Sequence, residues 1–432
     1  MAKLAHAQWS SRMGFVLAAA GSAVGLGNIW RFSYMVGDSG GAAFVLVYLA
    51  CVALVGLPIL VAEWMIGRRG QKNPINTMSD LAASHGKTRA WATIGVSGVL
   101  AAFLILSFYS VIGGWSLNYT LSSVIGTFNG QDADSIGALF SGMLGSPTTL
   151  LLWHTAFIVL VIGIVARGVT KGLESAARTM MPALVVLMLI LVGYGMTSGY
   201  FGETLSFMFS PDWDALDGGV VLAAMGQAFF TLSLGMGIMM AYGSYLGEDV
   251  NLISTARTVI LLDTAIALLA GLAIFPIVFA NGLSAGEGPG LIFVTLPLAF
   301  GNMTGGTILG LMFFLLLTFA ALTSAISLLE PVVETLEERT SMSRIVATLV
   351  SGVAVWALGV AALLSFNVWA EVLFFGLNIF DLLDTFTSKI LLPLTGLGAI
   401  LFAAWCLERK SVETELGLSA AGVGVWNILA RF

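Results

Sequence analysis

The stretch "GSAVGLGNIWRF" (residues 21–32) interrupts a long apolar segment that otherwise has the composition of a membrane-spanning helix. Three of its glycines fall within seven residues, and an asparagine and an arginine follow them. Glycine costs about 1 kcal/mol in a helix interior, and a broken helix survives at membrane depth only where protein, ions or water satisfy the freed backbone groups. The stretch therefore predicts a helix break at Gly25 and Gly27 beside a cavity. The alternative is close helix packing, because Gly21 and Gly25 match the spacing Gly-x-x-x-Gly.

The composition of the whole chain places this stretch in a membrane protein. Of 432 residues, 58% are hydrophobic and 10% are charged, and the mean hydropathy is +0.96. Apolar runs of about 20 residues, the length that crosses a bilayer, recur from end to end. The sequence thus predicts an all-α polytopic membrane protein embedded in the lipid bilayer. Cys51 and Cys406 lie in separate apolar segments and are expected to be buried thiols without a disulfide.

Ten apolar segments are long enough to be spans, and they are numbered here in chain order. They cover residues 13–36, 41–66, 91–124, 148–167, 172–198, 216–245, 252–282, 304–337, 343–365 and 378–407. Segment 424–432 has the composition of the beginning of an eleventh span, as expected of a truncated chain.

Lysine and arginine occur in alternate loops, and this pattern predicts the orientation. They precede span 1, lie between spans 2 and 3, 4 and 5, and 8 and 9, and follow spans 6 and 10, whereas the loops 129–142 and 202–217 have none. Because basic loops stay in the cytoplasm, the N-terminus is predicted to be cytoplasmic. Arg31 and Lys389 are exceptions to the pattern.

Span 6 carries a second interrupted stretch, "GQAFFTLSLGMG" (226–237), with Thr231, Ser233 and Gly235 near mid-membrane. Spans 1 and 6 are the first members of two sets of five. Matching interruptions in two halves are typical of inverted-repeat transporters with a binding site at the midplane. The predicted units are a cytoplasmic tail (1–12), a first repeat of spans 1–5 (13–198), a second repeat of spans 6–10 (199–410), and a loop with the start of span 11 (411–432).

Five stretches taken together resemble the neurotransmitter:sodium symporter family. They are "SAVGLGNIWRF" in span 1, "EWMIGRRGQ" (63–71), "FYSVIGGW" (108–115), "FFTLSLGMG" in span 6 and "FAALTSAISLLEP" (319–331), in the family's order and spacing. Within the family, the chain is most similar to bacterial transporters of hydrophobic amino acids, which implies the plasma membrane of a bacterium. The resemblance implies a 5+5 inverted-repeat fold with unwound spans 1 and 6. It also implies sodium-coupled symport of neutral hydrophobic L-amino acids, aliphatic and aromatic, by alternating access.

The resemblance implies a substrate site at the two breaks. The carboxylate of the amino acid is expected at the backbone N–H groups of Leu26 and Gly27 and at the hydroxyl of Tyr109. The ammonium group is expected at the backbone carbonyls of Ala23, Phe230, Thr231 and Ser233. The apolar side chain is expected among Ile105, Phe230, Met236 and Leu328, with room left by Gly235 and Ala325.

Two sodium sites follow from the same resemblance, and both consist of the oxygen ligands that hard cations prefer. The first combines the substrate carboxylate with the Ala23 carbonyl and the side chains of Asn28, Thr231 and Asp263. The second combines the carbonyls of Gly21, Val24 and Ala320 with the hydroxyls of Thr323 and Ser324. Hydrogen bonds from the two hydroxyls to carbonyls one turn earlier are the alternative.

Asp263 departs from the family pattern. Many members have asparagine at this position, and chloride-dependent members have serine four residues later, where this chain has Ala267. A carboxylate inside a membrane is costly unless it is paired. We expect Asp263 to supply the negative charge that chloride supplies elsewhere, so that transport uses two Na+ and no chloride.

The resemblance implies an outer and an inner gate. An arginine and an aspartate close the outer path in the family, and the matching residues are Arg31 and Asp384, with Asp381 one turn earlier as a rival partner. At the inner end Glu338 fits the family's gate, together with Ser244 and Tyr245. The basic partner of that gate aligns with His6, which leaves Lys3 or His6 as its substitute.

Span 5 contains Gly172 and, ten positions later, Pro182. The spacing matches a family motif linked to unwinding the cytoplasmic part of this span, and an ordinary proline kink is the alternative. Glu63, Glu174 and Glu330 are expected to be buried and hydrogen-bonded, without a role in transport.

Other classes of function fit the sequence less well. The histidines His6, His85 and His154 are scattered and form no metal or nucleophile motif, which argues against an enzyme. Complete sodium ligand sets argue against a receptor that does not transport, and two gates argue against a channel. A proton-coupled amino-acid transporter of the same fold, with Asp263 as the carrier, is the alternative. We expect no nucleic-acid partner, Na+ as the only cofactor, and a monomer or weak dimer.

Overall fold

The computed structural model describes residues 8–285 and 290–417, together with residues 422, 424, 426 and 428. Within this part of the chain, eight helices are long and apolar enough to cross a membrane, and a bent pair makes a ninth span. The bent pair, Arg12–Ala23 and Gly27–Asp38, is span 1. The other eight are spans 2–5 and 7–10: Ala42–Gly70, Arg89–Val124, Pro147–Val165, Val169–Thr197, Leu252–Ala280, Gly306–Thr340, Arg344–Leu364 and Ile379–Trp405. The predicted all-α class is confirmed, whereas most of the predicted eleventh span lies outside the described residues.

Span 1 breaks where its glycines predict a break. Ser11 caps the first helix by accepting a hydrogen bond from the N–H of Gly14 at 3.0 Å, and this helix ends at Ala23. Val24 has an extended backbone, and the helix axis turns by 48° before the chain continues from Gly27. A Cβ atom on Gly25 would lie 2.2 Å from the hydroxyl oxygen of Ser324, so glycine here allows the backbone of span 1 to approach span 8 closely.

Span 6 is interrupted in the same way. Its two helices, Gly218–Thr231 and Ile238–Ser244, are each too short to cross a membrane alone. Between them Ser233 and Gly235 have φ values of 54° and 74°, a left-handed conformation that cannot continue a helix. The buried carboxylate of Glu63 in span 2 accepts a hydrogen bond from the N–H of Gly235 at 2.8 Å. The predicted count of ten spans holds only if these two helices together form one span, and it stays a prediction.

Two of the loops between the predicted spans are partly helical. The loops 129–142 and 202–217 contain most of Ala133–Leu144 and Phe201–Phe209, and a third short helix, Pro74–Ser84, follows span 2. Asp132 caps the first of these by accepting a hydrogen bond from the N–H of Ser135 at 2.8 Å. These helices have only 9–12 residues, so a search for runs long enough to cross a bilayer passes over them.

Spans 1 and 6 lie in the middle of the bundle. Span 1 packs against spans 5, 7 and 8, the second helix of span 6 packs against span 2, and spans 3 and 8 lie side by side. The indole N–H of Trp64 in span 2 contacts the sulfur of Met239 in span 6 at 3.3 Å. Cys406 is buried, Cys51 is half-buried, and both are free thiols as predicted.

Candidate substrate and ion sites

A small cavity lies where the two helix breaks face spans 3 and 8. Its lining comprises Ser22, Ala23, Gly25, Gly27, Ile105, Tyr109, Phe230, Ser233, Met236, Ser324 and Leu328. Eight of the ten residues predicted to bind substrate are in this lining, and the other two, Leu26 and Thr231, are their neighbours in sequence. The cavity volume is about 20 Å³, enough for about one water molecule. A larger ligand therefore enters only if lining side chains such as Met236 move outward.

The cavity has a polar end at the break of span 1. The backbone N–H of Leu26 donates a hydrogen bond to the hydroxyl of Tyr109 at 3.2 Å, and this hydroxyl also hydrogen-bonds with Ser324. Gly27 begins the second helix of span 1, and the first N–H groups of any helix lack an acceptor within it. N–H groups at a helix N-terminus and a tyrosine hydroxyl together suit a carboxylate.

Polar side chains join the two breaks directly. The hydroxyl of Ser233 donates to the carbonyl of Ser22 at 3.0 Å, and the side-chain amide of Gln227 donates to the carbonyl of Gly27 at 2.7 Å. Ser22 is a site residue that the sequence analysis missed, because a serine in an apolar helix usually bonds to its own backbone. Its position inside the first glycine-rich stretch is the signal that could have identified it.

The remaining lining is apolar. Ile105, Met236 and Leu328 are each at most 3% exposed. The lining contains no charged side chain among the described residues. The cavity thus combines groups that suit a carboxylate with a surface that suits an uncharged side chain.

Asp263 of span 7 brings together the side chains predicted for the first sodium site. Its carboxylate accepts hydrogen bonds from the amide of Asn28 at 2.7 Å and from the hydroxyl of Thr231 at 3.1 Å. The amide oxygen of Asn28 accepts the N–H of Gly25 at 3.0 Å. All three side chains are buried. Asn28 turns its nitrogen to Asp263 and its oxygen to Gly25, while the carboxylate and hydroxyl oxygens of Asp263 and Thr231 adjoin each other and are of the ligand type that hard cations prefer.

Thr323 of span 8 faces the break of span 1. Its hydroxyl oxygen lies 3.0 Å from the carbonyl oxygen of Ala320 and 3.4 Å from that of Val24. A Cβ atom on Gly21 would lie 3.5 Å from the Cβ of Thr323. Four of the five residues predicted for the second sodium site are therefore neighbours.

Two observations bear on the alternative to a second sodium site, in which the hydroxyls of Thr323 and Ser324 bond to carbonyls one turn earlier. The hydroxyl of Thr323 also lies 3.1 Å from the carbonyl of Phe319, one turn earlier in span 8. The hydroxyl of Ser324 donates to the carbonyl of Ser22 at 3.1 Å, on the side of the substrate cavity. Span 8 thus directs the two neighbouring hydroxyls to different carbonyls of span 1.

Arg31 and Asp384 meet at one end of the cavity. The guanidinium of Arg31 lies 3.9 Å from the carboxylate of Asp384 and 4.6 Å from the ring centre of Phe230. Asp381, the rival partner, accepts a hydrogen bond from the side chain of Asn378 at 2.8 Å. The side chain of Arg31 is 12% exposed and that of Asp384 is 39% exposed. The pair therefore lies at the boundary between the buried cavity and the surface.

At the opposite end, span 6 is bound to acidic residues of span 8. Tyr245 donates a hydrogen bond to Glu330 at 2.8 Å, and Ser244 donates to Glu334 at 3.0 Å. Glu330 also accepts two hydrogen bonds from the guanidinium of Arg344, at 2.9 and 2.5 Å. The expected burial and hydrogen bonding of Glu330 are confirmed.

Glu338, the third residue of the predicted inner gate, has a different environment. It accepts hydrogen bonds from the backbone N–H of Asn73 at 3.1 Å and from the side chain of Asn76 at 3.2 Å, both at the start of the helix after span 2. It lies about two turns further along span 8 than Glu330, against this short helix, and its place in an inner gate with Ser244 and Tyr245 stays a prediction. Lys3 and His6, its predicted basic partners, lie outside the described residues.

Residues 8–11 cover the same end of the bundle. The indole N–H of Trp9 donates to the carbonyl of Tyr242 in span 6 at 3.1 Å. The buried carboxylate of Glu174 in span 5 accepts hydrogen bonds from the N–H of Ser10 at 2.9 Å and from Arg178 at 2.6 Å. The sequence analysis missed Trp9, because a single tryptophan before a span carries no pattern.

Gly172 and Pro182 lie on either side of this attachment. Gly172 is part of a π-helical turn, Val169–Glu174, and Pro182 lies inside the following helix. A Cβ atom on Gly21 would lie 3.3 Å from the Cγ of Met181. Met181, directly before Pro182, is therefore next to Gly21 of the predicted second sodium site.

Comparisons with known proteins match this architecture. The sequence profile of the sodium:neurotransmitter symporter family matches residues 6–134 and 141–418. An uncharacterised sodium-dependent transporter of Bacillus subtilis, YhdH, is 39% identical over 429 residues, which are 98% of this chain and 94% of the relative. A similar transporter of Haemophilus influenzae is 34% identical over 93% of this chain and 90% of its own length. The crystal structure of MhsT in complex with L-phenylalanine has a TM-score of 0.92 and 48% identity, and the match covers 99% of this chain and 96% of that one. The fold expected from the two interrupted spans is confirmed.

Proposed function

This chain belongs to the sodium:neurotransmitter symporter family; it is a sodium-coupled membrane transporter and not an enzyme, and we propose that it carries neutral hydrophobic L-amino acids. Both aliphatic and aromatic amino acids are the proposed substrates, each transported with two Na+ and without chloride. The Arg31–Asp384 end faces the outside, and residues 8–11 face the cytoplasm of a bacterium.

The observation that carries this proposal is the division of the cavity between Tyr109 and Met236. One end offers the N–H groups of Leu26 and Gly27 and the Tyr109 hydroxyl to a carboxylate, without a basic side chain. The partial positive charge of a helix N-terminus stabilises an anion by about 0.3–1 kcal/mol, or up to about 2 kcal/mol when partly buried. Because this stabilisation is modest, the substrate carboxylate binds there and is also released. The opposite end is apolar and excludes a charged side chain, because an unpaired charge there would be desolvated. MhsT, which is similar over nearly the whole chain, was crystallised with L-phenylalanine.

Sodium binding is coupled to substrate binding through neighbouring residues. Asn28 follows Gly27 directly, so a cation held by Asn28, Thr231 and Asp263 lies beside a carboxylate bound at Gly27. The cation offsets the charge of Asp263, and the substrate carboxylate supplies the remaining ligand. Each Na+ that crosses a potential of 100 mV contributes about 2.3 kcal/mol to uphill transport.

Alternating access uses the contacts at the two ends. Outside, Arg31 and Asp384 separate to admit substrate; inside, Trp9 and Tyr245 leave their partners to release it. Spans 1, 2, 6 and 7 move as one bundle against the remaining spans. Unwinding of span 5 between Gly172 and Pro182 lets water reach the second sodium at Thr323, and loss of that ion opens the inner path.

Uptake into proteoliposomes tests this function. With an inward Na+ gradient, labelled leucine and phenylalanine should accumulate above equilibrium, in chloride and in gluconate alike, while lysine and glutamate should not. Equal accumulation with choline in place of Na+ would contradict sodium coupling. Accumulation in choline driven by an inward proton gradient would support the proton-coupled alternative with Asp263 as the carrier.

A further inference from the structure

The loop between spans 9 and 10 exposes a continuous apolar surface. All nine residues of "VWAEVLFFG" (368–376) are exposed, and seven of them are apolar. The exposed fractions reach 66% at Val368, 55% at Leu373 and 98% at Phe375. Glu371 is the only charged residue of this loop. A contiguous apolar surface of this kind marks a contact with a membrane or with another protein.

The tip of this loop is a β-turn that exposes the phenyl ring of Phe375. Phe374 and Leu377 exchange two backbone hydrogen bonds, at 2.8 and 3.0 Å. Between them Phe375 and Gly376 have φ values of 54° and 80°. Turns of this type prefer asparagine or aspartate before the glycine, and a bulky residue at positive φ is strained. The backbone conformation directs the phenyl ring of Phe375 away from the protein.

Part of the backbone of the loop is hydrogen-bonded within the protein. The N–H groups of Trp369, Ala370 and Val372 donate to carbonyls earlier in the chain, at 2.8, 3.1 and 2.9 Å. The N–H groups of Leu373 and Phe375 at the tip have no such partner among the described residues, so they suit the boundary of a bilayer, where water and headgroups supply partners, and not its hydrocarbon. Tryptophan is enriched at this boundary, and phenylalanine is typical of apolar segments that lie in it.

Span 10, which follows the loop, also exposes an apolar surface. Its exposed side chains Phe386, Ile390, Leu394 and Leu397 follow the spacing of one helix face, which is a lipid-facing surface in a spanning helix. Lys389 is exposed on the same helix, and its long stem allows the ammonium group to reach toward the headgroups.

We propose that loop 368–376 inserts into the headgroup–acyl boundary of the leaflet at the Arg31–Asp384 end. The loop leads directly into span 10, where the ring of Phe380 contacts Phe108 at 5.4 Å between ring centres. The inserted loop thereby fixes the depth of the helix that carries Asp384. This inference depends on the membrane location of the chain and is independent of the transported substrate.

Site-directed spin labelling tests the insertion. The variants carry Cys51→Ala and Cys406→Ala, with Phe375→Cys or Leu373→Cys as the labelled position, in nanodiscs of phosphatidylethanolamine and phosphatidylglycerol. Asp134→Cys, at an exposed position in the helix Ala133–Leu144, is the control. Labels at 375 and 373 should be more accessible to oxygen than to a water-soluble nickel complex, and the control should show the reverse.

Two results would overturn the proposal. Nickel accessibility at both loop positions equal to that of the control would place the loop in water. Dipolar broadening at position 375 that increases with the number of protein copies per disc would identify a second copy of the chain as the partner. Two labelled positions keep the test informative if one variant fails to fold, as judged by size-exclusion chromatography.

Discussion

The side-chain amide of Asn28 lies 2.7 Å from the carboxylate of Asp263 and so connects the break of span 1 to the middle of span 7. Thr231 donates to the same carboxylate from the end of the first helix of span 6. A buried carboxylate in a membrane needs such partners. Both interrupted spans therefore meet at one buried carboxyl group, to which the proposed function assigns the negative charge that balances the cation.

This charge predicts the response to chloride. Asp263→Asn should lower sodium-driven uptake at least about tenfold in gluconate, equivalent to about 1.4 kcal/mol, because the variant lacks the anion that balances the cation. Adding Ala267→Ser should make the remaining uptake rise with chloride. Uptake assays in chloride and gluconate measure both effects. Normal uptake by Asp263→Asn in gluconate would show that this charge is dispensable.

Thr323 is expected to determine the affinity for sodium. Thr323→Val keeps the shape but removes the hydroxyl oxygen near Val24 and Ala320. The Na+ concentration for half-maximal uptake should rise about tenfold or more, because the second sodium site loses one of its few oxygen ligands. Thr335→Val is the matched control, because the Thr335 hydroxyl bonds only within span 8, to Pro331 at 2.7 Å. Equal shifts in the two variants would refute a specific role for Thr323.

Tyr109 is expected to determine the affinity for substrate. Tyr109→Phe removes a hydroxyl that donates to a charged carboxylate, an interaction worth about 1.5–3 kcal/mol. The KM for leucine should therefore rise about 10- to 100-fold. Tyr119→Phe is the control on the same span, because that hydroxyl bonds to the carbonyl of Phe293 at 2.9 Å, outside the cavity. An unchanged KM in Tyr109→Phe would exclude contact with the substrate carboxylate.

The pair of Arg31 and Asp384 predicts how fast bound substrate escapes to the outside. Asp384→Asn weakens the pair at 3.9 Å, so the dissociation rate of labelled leucine from detergent-solubilised protein should increase several-fold. Asp381→Asn should leave the rate unchanged, because Asp381 is bonded to Asn378. The same increase in both variants would indicate a general effect of charge at this end of span 10.

Glu174 predicts the stability of the inner end of span 5. Glu174→Gln weakens the hydrogen bonds that hold Ser10 and Arg178, so amide hydrogen exchange in residues 169–182 should become faster. Glu338→Gln, which alters another carboxylate at the same end, should leave this exchange unchanged. If exchange is as slow in Glu174→Gln as in the unmodified protein, the attachment of residues 8–11 does not control this segment.

Much of the fold can be predicted from the amino-acid sequence alone. The lengths of the spans and the two breaks depend on local properties: hydrophobicity along about 20 residues and the poor helix propensity of closely spaced glycines. The order and spacing of five motifs then identify the family and predict its site residues, including Asn28 and Asp263, which are neighbours in the structure. Eight of ten predicted substrate residues line one cavity because these motifs lie at the breaks.

Other features depend on how the helices are rotated and packed against each other. The angle of span 8 relative to spans 1 and 6 determines which groups its side chains contact. It decides whether the Ser324 hydroxyl faces the second sodium site or the carbonyl of Ser22. It also decides whether Glu338 contacts Tyr245 or Asn73. Ser10 and Glu174 are separated by most of the first repeat and meet only after folding. Short-range patterns hold no information on such contacts, because a side chain's partner is determined by packing across the bundle and not by its neighbours in sequence.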